Sequence, residues 1–487
     1  MALWETLVVN LYFVILAMLA VYGLHRYLIL ILYHRHYKRA VHPPAPVFVR
    51  EHAPSVTVQL PLFNERYVAE RVIRAAAQID YPRARLRIQV LDDSTDDTRA
   101  IASATVAELC AGGVRAEYLH REQRTGYKAG ALSAGLDATP DELVAIFDAD
   151  FVPPRDFLEK TVPYFQDANV GMVQTRWGYL NRDYSLLTRV QALLLDGHFV
   201  LEHTARHRSG RYFNFNGTGG VFRRDAIVDA GGWQGDTLTE DLDLSYRTQL
   251  RGWKFVFLPD VECPSELPVD IFGLKNQQHR WTKGSIQVGR KLLPRVWRSD
   301  ASLKVKLEAT FHLTANLSYL LLVAVSVLMP FAVVTRARSL TGGAFVVEAA
   351  VFGMTTASIL LFYTIAQREL NRDWKWRMRD VPFILALGVG MCINNAWAVT
   401  EALTGRRTPF VRTAKYRIET LRDRWKSKLY RSTRTPSFYI ELLLAAYLTT
   451  AFVAIAVLGE WAALPYLGLF VTGFLYVLGL SVLHAKR

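Results

Sequence analysis

The chain is expected to hold an α/β domain, a parallel-rich sheet with flanking helices, inserted into an α-helical transmembrane domain. Two observations predict this. Apolar runs of spanning length stand at the start of the chain and return only after about residue 308. Between them, roughly 50–300, a mixed-polarity stretch alternates strand-like with helix-like segments. The 487 residues leave room for both parts, with 51% hydrophobic residues and a formal net charge of +14. That positive balance suits nucleic acid, anionic lipid or an anionic substrate.

The first run, LVVNLYFVILAMLAVYGL (7–24), is uncharged, and no small-residue cleavage site follows it. It reads as a retained span in an N-terminal segment 1–33 and not as a removed signal peptide. Five runs follow the soluble part, at 309–334, 344–366, 381–399, 437–459 and 462–483, within a membrane region 305–487. Basic HRHYKRA (34–40) places the soluble domain in the cytoplasm. A full crossing at 381–399 would put the basic segment 404–434 outside, against the same rule. That run also carries polar NNAW (394–397), with Glu401 just beyond it. It is therefore expected to be re-entrant or interfacial, which leaves five spans in a multi-pass protein of the plasma or inner membrane. Six spans is the competing arrangement. Cys110, Cys263 and Cys392 lie far apart with no metal spacing and read as unpaired thiols in a reducing compartment.

Within the soluble part, SVTVQLPLFNE (55–65) reads as a buried strand ending in a polar turn, and 66–80 has helical period. LRIQVLDDSTDDT (86–98) repeats strand then turn, and 99–113 is a helix stopped by glycine. The segment 114–121, a helix from about Tyr127, and ELVAIFDADF (142–151) repeat the unit. Such alternation implies parallel strands with right-handed crossovers, and ligands bind beyond the carboxyl ends of those strands. Three of these ends carry Asn64 and Glu65, Asp92 and Asp93, and Asp148 and Asp150. No Gly-x-Gly-x-x-Gly follows the first strand and no P-loop pattern occurs, which argues against a dinucleotide or P-loop site.

Four local patterns carry chemistry. FDADF (147–151) sets two aspartates at a strand end, an oxygen-rich site of the kind Mg²⁺ or Mn²⁺ uses to bridge to phosphates. Its plain alternative is a solvated turn. TLTEDLDLSYR (237–247) gathers Glu240, Asp241 and Asp243. Thr239 is expected to cap that helix, and a carboxylate in its first turn suits both the helix dipole and a general base. QRTGYKAGAL (123–132) brings Lys128 to a glycine-rich helix start, a setting for phosphate or simply an exposed lysine. NQQHRWTKG (276–284), read as helix, puts Gln277, Arg280 and Trp281 at i, i+3 and i+4 on one face. A planar phosphate-gripping fork, an aromatic plate and an amide suit a ligand that is part sugar and part pyrophosphate.

In this order the motifs resemble the membrane-embedded processive glycosyltransferases of family 2, the group of cellulose, hyaluronan and chitin synthases. The family's aspartate after the second strand, D-x-D, T-E-D and Q-x-x-R-W read here as LDDS (91–94), DAD (148–150), TED (239–241) and QQHRW (277–281). GYKAGAL (126–132), FNGTGG (215–220) and QQHRW look closest to the plant cellulose-synthase-like A and C groups, makers of β-mannan or glucomannan and of a β-glucan backbone. FVRTAK (410–415) resembles the gating loop of cellulose synthases, with Arg412 in place of the family's valine.

The resemblance implies a cytoplasmic GT-A-type domain and assigns roles. Glu65 and Asp93 would hold the base and ribose, and Lys128 the nucleotide or its phosphates. Asp148 would lie on the ribose side, with Asp150 as the main ligand of Mg²⁺ or Mn²⁺ and Asp148 beside it. Asp241, with Glu240 next to it, would be the catalytic base. Arg280, Thr413 and Lys415 would reach the pyrophosphate, and Gln277, Trp281 and Asn216 the acceptor. The implied function is an inverting, processive transfer from GDP-mannose or UDP-glucose to a growing β-linked polysaccharide, exported through the membrane helices. A single-addition glycolipid synthase with a lipid acceptor, and a transporter or receptor with a cytoplasmic binding domain, are the other readings. Membrane lipids are expected partners and nucleic acid is not.

Overall fold

The computed structural model describes residues 3–39, 41–43, 50–339, 342–406, 408, 410–430 and 437–485. Its centre is a seven-stranded sheet of β1 (Val56–Leu62), β2 (Leu86–Asp92), β3 (Ala116–His120), β4 (Leu143–Ile146), β5 (Val170–Tyr179), β6 (Gly220–Arg223) and β7 (Lys254–Ser265). The order is β3-β2-β1-β4-β6-β5-β7. β1 pairs in parallel with β2 and β4, β2 with β3, and β5 with β7; β6 alone runs against its two neighbours. β1 sits inside the sheet with both of its faces buried. Val56, Val58 and Leu60 are fully buried, and so are Thr57 and Gln59 between them. The helices Ala69–Ala77, Thr98–Ala111 and Tyr127–Asp137 link β1 to β4 as the periodicity predicts.

Beyond β5 the helix Leu186–Gly197 widens into a π-helical turn, His198–His203, and continues as Thr204–Arg208. Such insertions place side chains that a regular helix would misdirect, and they concentrate at functional sites.

The motif QQHRW lies in a long interfacial helix, Ile271–Arg298, started by Asp270, whose side chain accepts from the Gly273 N–H at 2.8 Å. This platform helix has two working faces. Lys275, His279 and Lys283, at i, i+4 and i+8, turn toward the apolar helices. Lys275 Nζ meets both oxygens of Glu441 at 2.8 and 2.6 Å, with Ser481 Oγ at 3.1 Å. His279 and Lys283 both meet Glu401 Oε2, at 3.1 and 2.9 Å. Lys275 and Glu441 are 0% and 1% exposed. Lys275→Ala would thus strand a buried carboxylate and lower stability by about 3–5 kcal/mol, whereas a well-packed apolar pair at both positions would be near neutral. Thermal unfolding in detergent checks this, and an unchanged midpoint for the single variant would refute it.

Among the described residues, five helices are long and apolar enough to cross a membrane: Leu3–His36, Leu303–Thr335, Val346–Leu370, Phe438–Val457 and Trp461–Ala485. The run at 381–399 is a broken pair, Val381–Gly390 and Cys392–Thr404, within a unit bent by 44°. Both approaches to this pair touch residues of the 50–300 segment. Before it, Asp380 accepts from Arg189 Nε at 2.8 Å; after it, Lys415 reaches Asp150 at 2.6 Å. At the end of the last apolar helix, His484 Nδ1 accepts from the Ile271 N–H at 3.0 Å.

Candidate active site

The ends of β1, β2 and β4 open into one pocket, as the parallel topology requires. After β1 the chain turns through Asn64, whose φ of 55° a short amide side chain tolerates. Asn64 Oδ1 accepts from the Thr95 N–H at 2.8 Å and ties the first strand end to the second. Glu65 follows and faces the pocket. The two aspartates at the end of β2 separate. Asp92 is structural, accepting from the Ser94 N–H at 2.9 Å and the Tyr118 hydroxyl at 2.7 Å. Asp93 lines the pocket and is gripped by Arg121 through two bonds of 2.8 and 2.6 Å.

After β4, Asp148 and Asp150 flank Ala149. Asp148 Oδ1 lies 2.5 Å from Lys128 Nζ, and its N–H donates to Thr218 Oγ1 at 2.9 Å. Lys128 also donates to the Gly217 carbonyl at 2.8 Å. Gly217 has φ of 82°, and a Cβ there would stand 3.0 Å from Asp241 Oδ2. The glycine of FNGTGG therefore lets Lys128, Asp148 and Asp241 crowd into one corner.

Glu240 and Asp241 begin the helix Glu240–Leu250. The expected cap is corrected here: Thr239 holds the N-cap position, but its hydroxyl takes no helix N–H and has no hydrogen-bond partner. Its side chain instead packs on the platform helix, where a Cβ on Gly284 would fall 2.5 Å from Thr239 Cγ2. Asp241 Oδ1 accepts from the Leu242 N–H at 2.8 Å. Burial, with Glu240 next to it, pushes Asp241 up to about 7, and burial raises Glu240 too. Asp148 and Glu240 hold the Lys128 ammonium above its usual value although burial opposes its charge.

The platform helix brings Gln277, Arg280 and Trp281 to the same pocket, the shared face that their spacing predicts. Phe410, Arg412, Thr413 and Lys415 close it from the loop after Thr404. Arg280 donates to Thr413 Oγ1 at 2.9 Å and lies 4.5 Å from the Phe410 ring centre. Lys415 holds Asp150 Oδ2 at 2.6 Å and the Glu266 carbonyl at 3.0 Å. Arg412 meets Glu65 at 3.3 Å, and burial still pushes Glu65 up to about 8. All the residues given a role from the sequence converge on this pocket.

Sequence reasoning missed Phe63, Arg121, Arg124 and Glu266. The Arg124 guanidinium carbon lies over the Phe63 ring, 3.5 Å from its centre. Phe63 directly follows β1 and Arg121 directly follows β3, so the strand-end rule was a signal for both.

A second cavity continues past Trp281. It shares Trp177, Asn216, Asp241 and Trp281 with the first and runs on to Tyr22, His25 and Arg26 of the first apolar helix. Asp241 and Trp281 thus stand between a charged strand-end pocket and a polar, aromatic passage toward the apolar helices.

The Asp148 and Asp150 oxygens suit a divalent ion. Among the described residues no third His, Cys, Asp or Glu completes a protein-only cluster around them. This fits the binding of Mg²⁺ or Mn²⁺ by one or two carboxylates together with substrate phosphates.

Three comparisons bear on the family. The family model described as glycosyltransferase like family 2 matches residues 53–284. Glucomannan 4-beta-mannosyltransferase 2 of Arabidopsis thaliana is 44% identical over 251 residues. The match takes in 50% of this chain and 47% of that protein, so it spans about half the length of this curated relative. The solved mannosyltransferase PcManGT from Pyrobaculum calidifontis, in complex with GDP-Man and Mn²⁺, superposes with a TM-score of 0.52. It covers 81% of this chain and 100% of its own and is 21% identical, a likeness of fold. The sheet with its flanking helices is the expected GT-A-type fold, and residues 53–284 carry the likeness to glycosyltransferase like family 2.

Proposed function

We propose that the chain is an inverting glycosyltransferase that extends a β-linked mannan or glucomannan from a nucleotide-activated mannose. The observation that carries this is the placement of Asp241 and Trp281 between the two cavities. The first holds paired aspartates, Lys128 and Arg280, the chemistry of a nucleoside diphosphate. The second is lined by aromatic, amide and imidazole groups together with Arg26, Glu202 and Arg206, flat and hydrogen-bonding partners that suit a saccharide. The mannosyl assignment rests on the 44% identical mannosyltransferase.

In this reading the base lies near Phe63, Asp93 and Glu65. Arg280 and Lys128 flank the diphosphate, joined by Thr413 and Lys415 of the loop. The acceptor sugar rests on Trp281 with Gln277 and Asn216 at its edge. Asp241 takes the proton of the acceptor hydroxyl as that oxygen attacks the anomeric carbon. The bond to the nucleoside diphosphate breaks on the opposite face, so the anomer inverts. Asp150 and Asp148 would hold Mg²⁺ or Mn²⁺, which would offset charge on the departing diphosphate.

Purified protein incubated with labelled GDP-mannose or UDP-glucose tests the reading. Mannose incorporation into a polymer cleaved by endo-β-mannanase is the expected result. Glucose-only incorporation would overturn the sugar assignment, a lipid-extractable product would support single addition, and no transfer from either donor would overturn the enzyme.

The same reading places the catalytic domain in the cytoplasm, with five spans and a broken pair that enters and leaves on one side. The contacts of Asp380, Lys415 and His484 with the soluble domain support it. A single cysteine at exposed Ser427, in an otherwise cysteine-free protein, should resist an impermeant thiol reagent in sealed cells and react after permeabilisation. Labelling in sealed cells would place the loop outside and sink the five-span arrangement.

A further inference from the structure

Asn216 stands where the two cavities meet, and its amide is held at both ends by histidines of the π-helical turn. His203 Nε2 lies 2.6 Å from Asn216 Oδ1 and 3.1 Å from the Asn214 carbonyl. His198 Nε2 lies 3.0 Å from Asn216 Nδ2, and His198 Nδ1 lies 3.0 Å from Glu202 Oε2. Arg206 Nη1 meets the same Glu202 oxygen at 3.3 Å.

The proton positions follow by elimination. The Asn214 carbonyl can only accept, so His203 must carry its proton on Nε2. That N–H also faces the Asn216 side-chain oxygen, which fixes which end of the amide is oxygen. The amide nitrogen then points at His198 Nε2, which must be the bare nitrogen. His198 therefore carries its proton on Nδ1 and donates it to Glu202. Burial, which opposes its ionisation, is outweighed by Arg206 and His198, so the Glu202 carboxyl stays well below the usual range and remains an acceptor. His203 is kept neutral because burial lowers it well below the usual imidazole value. Turning the amide over would set two donors against each other at His203 and two lone pairs at His198.

We infer that His198 and His203 are positioning residues. With Glu202 they lock the polarity of the Asn216 amide, so that its second N–H and second lone pair meet the hydroxyls of the acceptor sugar in one fixed sense. The π-helical turn makes this possible, because residues five apart set their rings edge to face, 4.3 Å between centres and 62° between planes, and grip one amide from both ends. The acceptor role of Asn216 rests on the transferase reading above; the proton arrangement does not.

Two measurements decide it, both on the full chain in lipid nanodiscs. The first is ¹⁵N NMR of protein with labelled histidine, assigned through His198→Gln and His203→Gln. The expected tautomers are Nδ1–H for His198 and Nε2–H for His203; the opposite tautomer at either would overturn the lock whatever the activity. The second is transfer from GDP-mannose to a soluble β-1,4-linked mannotetraose. His198→Ala should raise the KM for the tetraose roughly tenfold and leave the KM for GDP-mannose nearly unchanged. His198→Gln, whose carbonyl can still accept from Asn216, should recover most of the loss. Equal losses in the two variants, an unchanged tetraose KM, or equal effects on both substrates would overturn the positioning role. Wild-type protein that transfers nothing would overturn the transferase reading, with the tautomers still deciding the lock.

Discussion

Asp241→Asn protein will bind its sugar nucleotide and turn it over at least roughly a hundredfold more slowly than wild type. The substitution keeps the size of the side chain and an oxygen that can accept from the Leu242 N–H, now at 2.8 Å, so the helix start survives. It removes only the ability to take a proton. Calorimetric titration of donor separates binding from turnover, which is read as nucleoside diphosphate release. The pH profile adds a second reading. Asp241 must be unprotonated to act, and burial with Glu240 raises it to about 7. The rate should climb as pH rises through that region and level off above it, and this limb should vanish in the variant. Near-wild-type turnover would make Asp241 structural and send the search for the base elsewhere.

Removal of divalent metal will abolish transfer, and Mg²⁺ or Mn²⁺ will restore it. The two aspartates of DAD are balanced by one lysine each, Lys128 at 2.5 Å and Lys415 at 2.6 Å. Those single charges neutralise the carboxylates and leave the two negative charges of a departing diphosphate uncovered. Of the other cations lining the pocket, Arg412 is paired with Glu65 and Arg124 lies over Phe63, while Arg280 is left for the diphosphate, and burial lowers its affinity for its proton. A loss on the order of a hundredfold to a thousandfold is expected in excess chelator, the scale of a missing charge-stabilising group. Asp150→Asn should reproduce it and abolish the metal response. Full activity of purified protein in chelator would remove the metal role from Asp150 and leave the charge to Lys128, Lys415 and Arg280.

Much of this site was legible in the sequence because its parts are local. A strand end, a helix start and a helix face each declare themselves within about ten residues, through period and composition. The face of Gln277, Arg280 and Trp281, the Asp148–Asp150 pair and the Glu240–Asp241 pair needed no knowledge of the fold. Asp92 and Asp93 show the limit. They are adjacent and chemically identical, yet Tyr118 and Ser94 claim the first while Arg121 claims the second for the pocket.

By itself, then, the sequence determined the alternation of strands and helices, the apolar runs, and which residue types crowd at the strand ends, since these follow from short-range periodicity. Only the tertiary structure decided who meets whom. It set β6 against its neighbours, drew Thr239 from its cap onto Gly284, paired Lys275 with Glu441 across 166 residues, and laid the loop of Arg412 and Lys415 over Glu65 and Asp150. It also brought two histidines of one π-helical turn to opposite ends of Asn216. The physical reason is that a buried charge or amide must find a partner wherever packing leaves one. That partner is chosen by the folded surface and not by neighbours in the chain.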